Sequence, residues 1–180
     1  MSRFTRIFTV LVFILIFMLS GQVLADDANG TQYITMAKMA FQDAKEISIF
    51  ISEADLAKEK STINRAALQN KVQAKIYVIK SSLDVGKRMR ELPDGSVLVV
   101  YQSEVLAKKS TQLFILKKCK EKQVGVITSS AEYSELGALI GLVKTGPRFE
   151  LVLNLKQNDW AAARFPSDVI ERLGIARVIQ

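Results

Sequence analysis

One strand constrains the fold of this chain more than any other feature. Residues 96–101 read SVLVVY, a hydrophobic run that would place apolar side chains on both faces of a strand. Strands buried on both faces are typical of a parallel sheet that is covered by helices on each side. The run therefore predicts an interior strand of an α/β protein.

Repeated strand–helix–strand units surround this strand. Apolar, β-branched runs predict four strands, at residues 46–51, 72–80, 96–101 and 124–127. Helical patterns fill the intervals between them, at residues 53–70, 82–92 and 104–122. Strands joined through a helix almost always run parallel, with a right-handed crossover. The order predicts a mostly parallel sheet between two helical layers.

The longest of these helices is predicted to begin after Ser103, which serves as its N-cap. Four apolar side chains then fall on one face, which we expect to pack against the sheet: Val105, Leu106, Leu113 and Leu116. Lysines crowd the last turn, where the helix dipole favours positive charge. The lysine run therefore needs no ligand to explain it.

The pattern changes near the end of the chain. Apolar runs at residues 139–143 and 149–155 are separated by only five residues, which include Gly146-Pro147. Parallel neighbours need a longer crossover, so these two strands form an antiparallel hairpin. A helix over residues 167–173, capped by Ser167 and stopped by Gly174, precedes an apolar tail. The predicted fold class is α/β, a three-layer sandwich with a mostly parallel sheet and an antiparallel C-terminal hairpin at one edge.

Residues 1–25 are typical of a secretory signal peptide. Arg3 and Arg6 precede an apolar run at residues 7–19, and Val23-Leu24-Ala25 forms a small-residue cleavage site. A retained membrane anchor is the alternative, although this run is shorter than the roughly 20 residues that span a bilayer. We expect residues 26–45 to form an N-terminal segment with a short helix, residues 46–180 to form a single domain, and the protein to reside in the periplasm.

The composition argues against catalysis. The chain has no histidine and one cysteine among its 180 residues, which excludes Ser-His-Asp and Cys-His chemistry and disfavours zinc. It contains no glycine-rich phosphate motif. The basic residues, although they give a net charge of +7, are spread along the chain, which disfavours nucleic-acid binding. We therefore expect a protein that is not an enzyme and uses neither a metal nor another cofactor.

Five polar residues follow the two innermost predicted strands and form the candidate ligand site: Gln102, Ser103, Thr128, Ser129 and Ser130. Hydroxyls and backbone N–H groups at the carboxyl edge of a parallel sheet suit a small anionic or polar ligand. The alternative is that the serines only cap helices.

Three other side chains are candidates for partner contacts. Trp160 and Phe165 form a candidate partner surface, with core filling as the alternative. Cys119 is predicted to be a buried filler on a helix, with an intermolecular disulfide, as in a homodimer, as the other possibility.

The C-terminal region resembles two families of exported proteins. The stretch at residues 148–156 (RFELVLNLK), Phe165-Pro166-Ser167 and the closing residues 176–179 (ARVI) are similar to the end of ABC-transporter periplasmic substrate-binding proteins. Those proteins have two lobes and about twice this length, so the resemblance implies a single lobe that binds a small ligand.

The same region also resembles the YfiR-like periplasmic regulators. In that family a Thr-x-Ser loop precedes a glycine-led strand and an antiparallel partner ending in Asn-Leu, as at Thr128, residues 137–141 and Asn154-Leu155. This resemblance implies a non-enzymatic regulator that contacts an inner-membrane sensor or diguanylate cyclase. We take the regulator as the first functional hypothesis and the single-lobe ligand-binding protein as the alternative.

Overall fold

The computed structural model describes residues 28–180. The predicted signal peptide, residues 1–25, lies outside this range. In chain order the elements are α1 Gly30–Ala40, β1 Glu46–Ile51, α2 Glu53–Gln69, β2 Gln73–Val78, α3 Ser82–Glu91, β3 Val97–Val100, α4 Lys109–Glu121, β4 Gly125–Thr128, α5 Ala131–Leu136, β5 Ile140–Thr145, β6 Arg148–Asn154, a 3₁₀ helix Asp159–Arg164, α6 Ser167–Leu173 and β7 Ile175–Ile179.

The seven strands form one sheet in the order β2-β1-β3-β4-β5-β6-β7. Every neighbouring pair is parallel except β5 and β6, which form the predicted antiparallel hairpin. The α/β fold class with a mostly parallel sheet is therefore confirmed. The apolar tail adds a strand, β7, which pairs in parallel with β6 beyond the hairpin.

Helices cover both faces of the sheet, and each face has its own hydrophobic core. The first core packs α1, α2, the 3₁₀ helix and α6 against side chains such as Ile49, Val99 and Ile127. The second packs α3, α4 and α5 against the alternate side chains, among them Phe50 and Leu98. Residues 97–100 are buried on both faces, as their sequence predicts. Burial of two layers of aliphatic side chains is the main term that stabilises such a domain.

The start of α4 differs from the prediction. The helix begins at Lys109, and Ser103 instead caps a separate turn by accepting a hydrogen bond from the Leu106 N–H at 3.3 Å. Lys108 has an extended backbone and supplies no side-chain cap. Leu106 reaches the core from this turn, so it does not have to share a helical face with the residues that follow.

The buried face of α4 differs for the same reason. Leu113 is 48% exposed, whereas Gln112, Ile115 and Cys119 face the sheet. The predicted stripe through residues 105, 106, 113 and 116 assumed one unbroken helix. Because the chain turns before Lys109, the helix rotates to bury a different set of side chains.

The boundaries of the other predicted elements agree with the sequence to within a few residues. The short helix predicted within residues 26–45 is α1, and Asn29 and Gln32 form a capping box at its start. In α6 the N-cap is Pro166 and not Ser167, while Gly174 ends the helix in a left-handed conformation, as predicted.

Candidate functional site

The predicted ligand-site residues come together at the carboxyl edge of β1, β3 and β4. Val100 is paired with Phe50 on one side and Thr128 on the other, so the residues that follow these strands leave the sheet at one level. The chain reverses its direction across the sheet between β1 and β3. In open α/β sheets, ligands bind outside the carboxyl ends of the strands at such a switch point.

Local hydrogen bonds engage three of the five hydroxyl-bearing or amide residues predicted for this edge. Ser130 Oγ accepts from the Tyr133 N–H at 3.2 Å and caps α5. Thr128 Oγ1 accepts from the Ser130 N–H at 3.2 Å and is fully buried. Ser103 caps the turn before α4. Of the two serines, only Ser130 caps a helix, and ligand binding by these side chains stays a prediction.

Gln102 differs from the capping residues. Its side chain is half-buried at the end of β3 and makes no hydrogen bond to another residue within the described part of the chain. A glutamine amide offers two donors and one acceptor. Of the five predicted residues, Gln102 is therefore the one whose polar group is available to a ligand.

Rigid side chains support this edge. Tyr101, next to Gln102, is 3% exposed and packs its ring 4.8 Å from that of Tyr33, in the first turns of α1. Ser52, after β1, caps α2 by accepting from the Asp55 N–H at 3.0 Å. The backbone near Gln102 is held between α1 and β1 before any ligand is bound.

A buried polar network fixes the β5–β6 hairpin at the end away from its turn. Asn154 Nδ2 donates to the Ser134 carbonyl at 2.9 Å, and Asn158 Nδ2 donates to the carbonyls of Gly137 and Asn154 at 2.9 and 2.8 Å. These residues join β6 to α5, which is a structural role.

The candidate partner surface is only partly exposed. Phe165 is 3% exposed and belongs to the first core, so core filling, the alternative reading, applies to it. Trp160 is half-buried against the same core, and its Nε1 is buried without a hydrogen-bond partner among the described residues. Phe165 is therefore not exposed to a partner, and a partner contact through Trp160 stays a prediction.

Cys119 is a buried filler, as expected. It is 2% exposed in α4, and burial raises the pKa of its thiol far above the ordinary value. A thiol in this state is a weak nucleophile and does not reach a second molecule.

Cavities occur in a region where no sequence pattern predicts a site. Two lie between α3 and α4, with volumes of about 270 and 450 Å³, and a third of about 280 Å³ lies between α4 and α5. Their walls come from different helices, so only the tertiary structure brings these residues together.

Two negative findings concern residues 28–180. Within this range no helix is both long enough and apolar enough to cross a membrane. In the same residues, no group of three or more cysteine or carboxylate side chains could hold a metal ion.

The fold is similar to that of three solved structures, one of which is a substrate-binding protein. The chain matches a conserved domain protein from Vibrio cholerae O1 biovar El Tor with a TM-score of 0.67 and 13% identity. It matches an ABC domain in complex with L-Trp from Streptococcus pneumonia with a TM-score of 0.66 and 13% identity. It also matches the ligand-free, open form of a substrate-binding protein with adhesive properties from Clostridium difficile, with a TM-score of 0.59 and 15% identity.

These likenesses concern the fold alone. The matches cover 83%, 83% and 85% of this chain but 60% of each of the three solved chains. No family model matches the sequence. No curated protein matches it either. The resemblance to YfiR-like regulators therefore gains no support, whereas the resemblance to substrate-binding proteins agrees with the fold.

Proposed function

We propose that this chain is an exported, non-enzymatic protein that binds a small polar ligand at the carboxyl edge of β1, β3 and β4. The observation that supports this most is the position of Gln102, whose uncommitted amide lies at the switch point of the sheet. The fold it shares with substrate-binding-like domains favours the same hypothesis over that of a cyclase regulator.

The ligand class follows from the groups at this edge. Gln102 supplies a neutral amide, and Ser129 lies half-buried beside it in the neighbouring loop. The rings of Tyr101 and Tyr33 are buried in the first core, so they support the backbone at this edge and do not contact a ligand. Neutral donors and acceptors suit a small polar ligand such as an amino acid. One of the structural neighbours is itself in complex with L-Trp.

The absence of catalytic groups supports a binding role. The sequence contains no histidine. The one cysteine is buried in α4, and its raised pKa disfavours the thiolate. The hydroxyls of Ser103, Thr128 and Ser130 each accept a hydrogen bond from a backbone N–H group in their own loop, which fits a structural role better than that of a nucleophile.

Thermal unfolding of the purified protein with a panel of amino acids, beginning with L-tryptophan, tests this proposal. A ligand that binds only the folded state raises the melting temperature. At a free ligand concentration of 100 times its Kd, it stabilises the folded state by about 2.7 kcal/mol. We expect a saturable rise with at least one member of the panel. Gln102→Ala should abolish the rise while leaving the melting temperature of the free protein almost unchanged.

Gln157→Ala is the matched control, because Gln157 is an exposed glutamine that follows β6 at the opposite edge of the sheet. It should retain the full effect of the ligand. If no amino acid changes the melting temperature, or if Gln102→Ala responds like the wild type, the proposal is wrong. Copurification of an inner-membrane protein without any such response would favour the regulator hypothesis.

A further inference from the structure

A groove runs along the outer side of the second helical layer, between α3 and α4. Its two cavities, of about 270 and 450 Å³, share Gly86 of α3 and Phe114 of α4. Because they meet at these residues, they form one continuous groove, which we call the α3–α4 groove. It follows the length of α3, about 15 Å for ten helical residues.

The α3–α4 groove changes in character from one end to the other. The smaller cavity is lined by uncharged residues, including Ser82, Ser110 and Thr111. Apolar side chains form the middle, with Phe114 40% exposed beside Met89. All the charged lining residues belong to the larger cavity at the other end: Arg90, Lys118, Glu121 and Lys122. The positive charge is thus confined to one end of an otherwise neutral groove.

Gly86 keeps the middle of the groove open. It lies inside α3, where glycine costs about 1 kcal/mol relative to alanine. A Cβ atom placed there would meet no other atom within 4 Å, so packing does not require glycine at this position. A side chain at residue 86 would occupy the space that the two cavities share.

Arg90 is the cation of the charged end that has no acidic partner within the described residues. Lys118 pairs with Glu121 at 2.6 Å, and Lys122 donates to the Leu92 carbonyl at the end of α3. The Arg90 guanidinium uses only Nε, in a 3.3 Å hydrogen bond to the Gly86 carbonyl. Its terminal nitrogens have the planar geometry that binds a carboxylate through two hydrogen bonds.

We propose that the α3–α4 groove binds a free long-chain carboxylate, with its head group at Arg90 and its chain along Met89, Phe114 and Val85. A single-headed anion matches a groove whose cations lie at one end only. An acidic peptide helix is a poorer match, because most of the charges along its length would lie beside uncharged residues of the groove. The groove is distinct from the edge site at Gln102, so the two proposals can fail separately.

Isothermal titration calorimetry with sodium dodecanoate, kept below its critical micelle concentration, tests the proposal on the whole chain. We expect saturable binding with one molecule per protein. Arg90→Glu should weaken binding about tenfold or more, since it replaces a charge-assisted contact by repulsion. Gly86→Leu should remove binding by filling the groove, and its melting curve in the absence of dodecanoate will show that it is folded.

Lys87→Glu is the matched control, because Lys87 is exposed on α3 and does not line the groove. This substitution changes the net charge by the same amount as Arg90→Glu. The variant should bind dodecanoate like the wild type. Equal weakening by Lys87→Glu, or equal binding of dodecyltrimethylammonium, would overturn the proposal. Absence of dodecanoate binding would also overturn the proposal. If the protein then binds phosphatidylglycerol vesicles, the groove end is a membrane-binding surface and not a site for a free carboxylate.

Discussion

Gly141 in β5 shows how a single residue controls the approach of a helix to the sheet. A Cβ atom at this position would overlap Ser134 Oγ of α5 and lie 2.8 Å from Ser134 Cβ. Ser134 is fully buried and its hydroxyl donates to the Ser130 carbonyl at 2.8 Å, so it has little room to move. The absence of a side chain at residue 141 therefore sets the distance between α5 and β5.

Gly141→Ala should destabilise the protein by about 1–3 kcal/mol, the usual effect of overpacking a core. The free energy of unfolding, measured in urea, tests this expectation. Gly86→Ala is the control, because the added methyl group meets no atom and should instead stabilise α3 by about 0.5–1 kcal/mol. An unchanged stability of Gly141→Ala would show that α5 can shift away from the sheet.

The burial of Cys119 leads to a second prediction, on the reactivity of its thiol. Its thiol should react with a disulfide reagent such as DTNB only after the protein unfolds, because the folded state shields the sulfur and disfavours the thiolate. The reaction rate, followed with increasing urea, should rise together with the unfolding transition. Fast reaction without urea would indicate that α4 opens locally.

At the scale of elements, capping decides where the helices begin. In α3, Asp84 accepts hydrogen bonds from the Lys80 and Ser81 N–H groups and from Ser81 Oγ, at 3.1, 2.9 and 3.0 Å. These bonds, led by that from the Ser81 side chain, lower the pKa of the Asp84 carboxyl. The charged carboxylate is therefore the form that stabilises the helix.

This lowered pKa gives a pH dependence with a definite sign. The contribution of Asp84 is present above the pKa of an unfolded aspartate, about 4, and is lost as the pH falls through the lower folded value. Asp84→Asn should therefore be less stable than the wild type at pH 7, and this difference should shrink at pH 2. Urea midpoints at the two pH values measure it, and a difference that is constant with pH would contradict the assignment.

The N-terminus of α4 is the opposite case, since Lys108 provides no cap and places positive charge at the positive end of the helix dipole. Lys108→Asp should stabilise the protein by about 1 kcal/mol by capping the helix. Ala107→Asp is the control, one residue further out, and should have a smaller effect. Thermal melting of both variants compares them, and equal stabilisation would indicate that net charge alone is responsible.

At the scale of the molecule, β7 completes the sheet beyond the hairpin. Its last residues bind the chain after β6, where the Leu155 and Lys156 N–H groups donate to the Ile179 carbonyl at 2.9 and 3.0 Å. Leu173, just before β7, is buried in the first core. The strand therefore protects β6 from pairing with another molecule.

Removal of residues 175–180 should expose the edge of β6 and promote association between molecules. Size-exclusion chromatography over a range of concentrations, together with thermal melting, tests this expectation. A truncated protein that stays monomeric with an unchanged melting temperature would show that β7 contributes little to the fold.

Much of the fold could be predicted because its signals are local. The apolar run at residues 96–101 indicated an interior strand, and Gly146-Pro147 indicated the hairpin, both of which are confirmed. For the candidate site, the sequence placed Gln102 and Ser130 at one sheet edge, but it did not show which of the two side chains is engaged in a hydrogen bond. Nor could the sequence show that, of the five predicted residues, Gln102 is the one whose side chain makes no local hydrogen bond. Capping depends on where each turn begins.

The sequence by itself determined the class of fold, since the periods of strands and helices and the turn residues are properties of neighbouring positions. Only the tertiary structure decided which face of α4 is buried, how β7 pairs, why residue 141 is glycine and that a groove separates α3 from α4. Each of these depends on contacts between different helices and strands, and such contacts leave no periodic pattern in a single sequence.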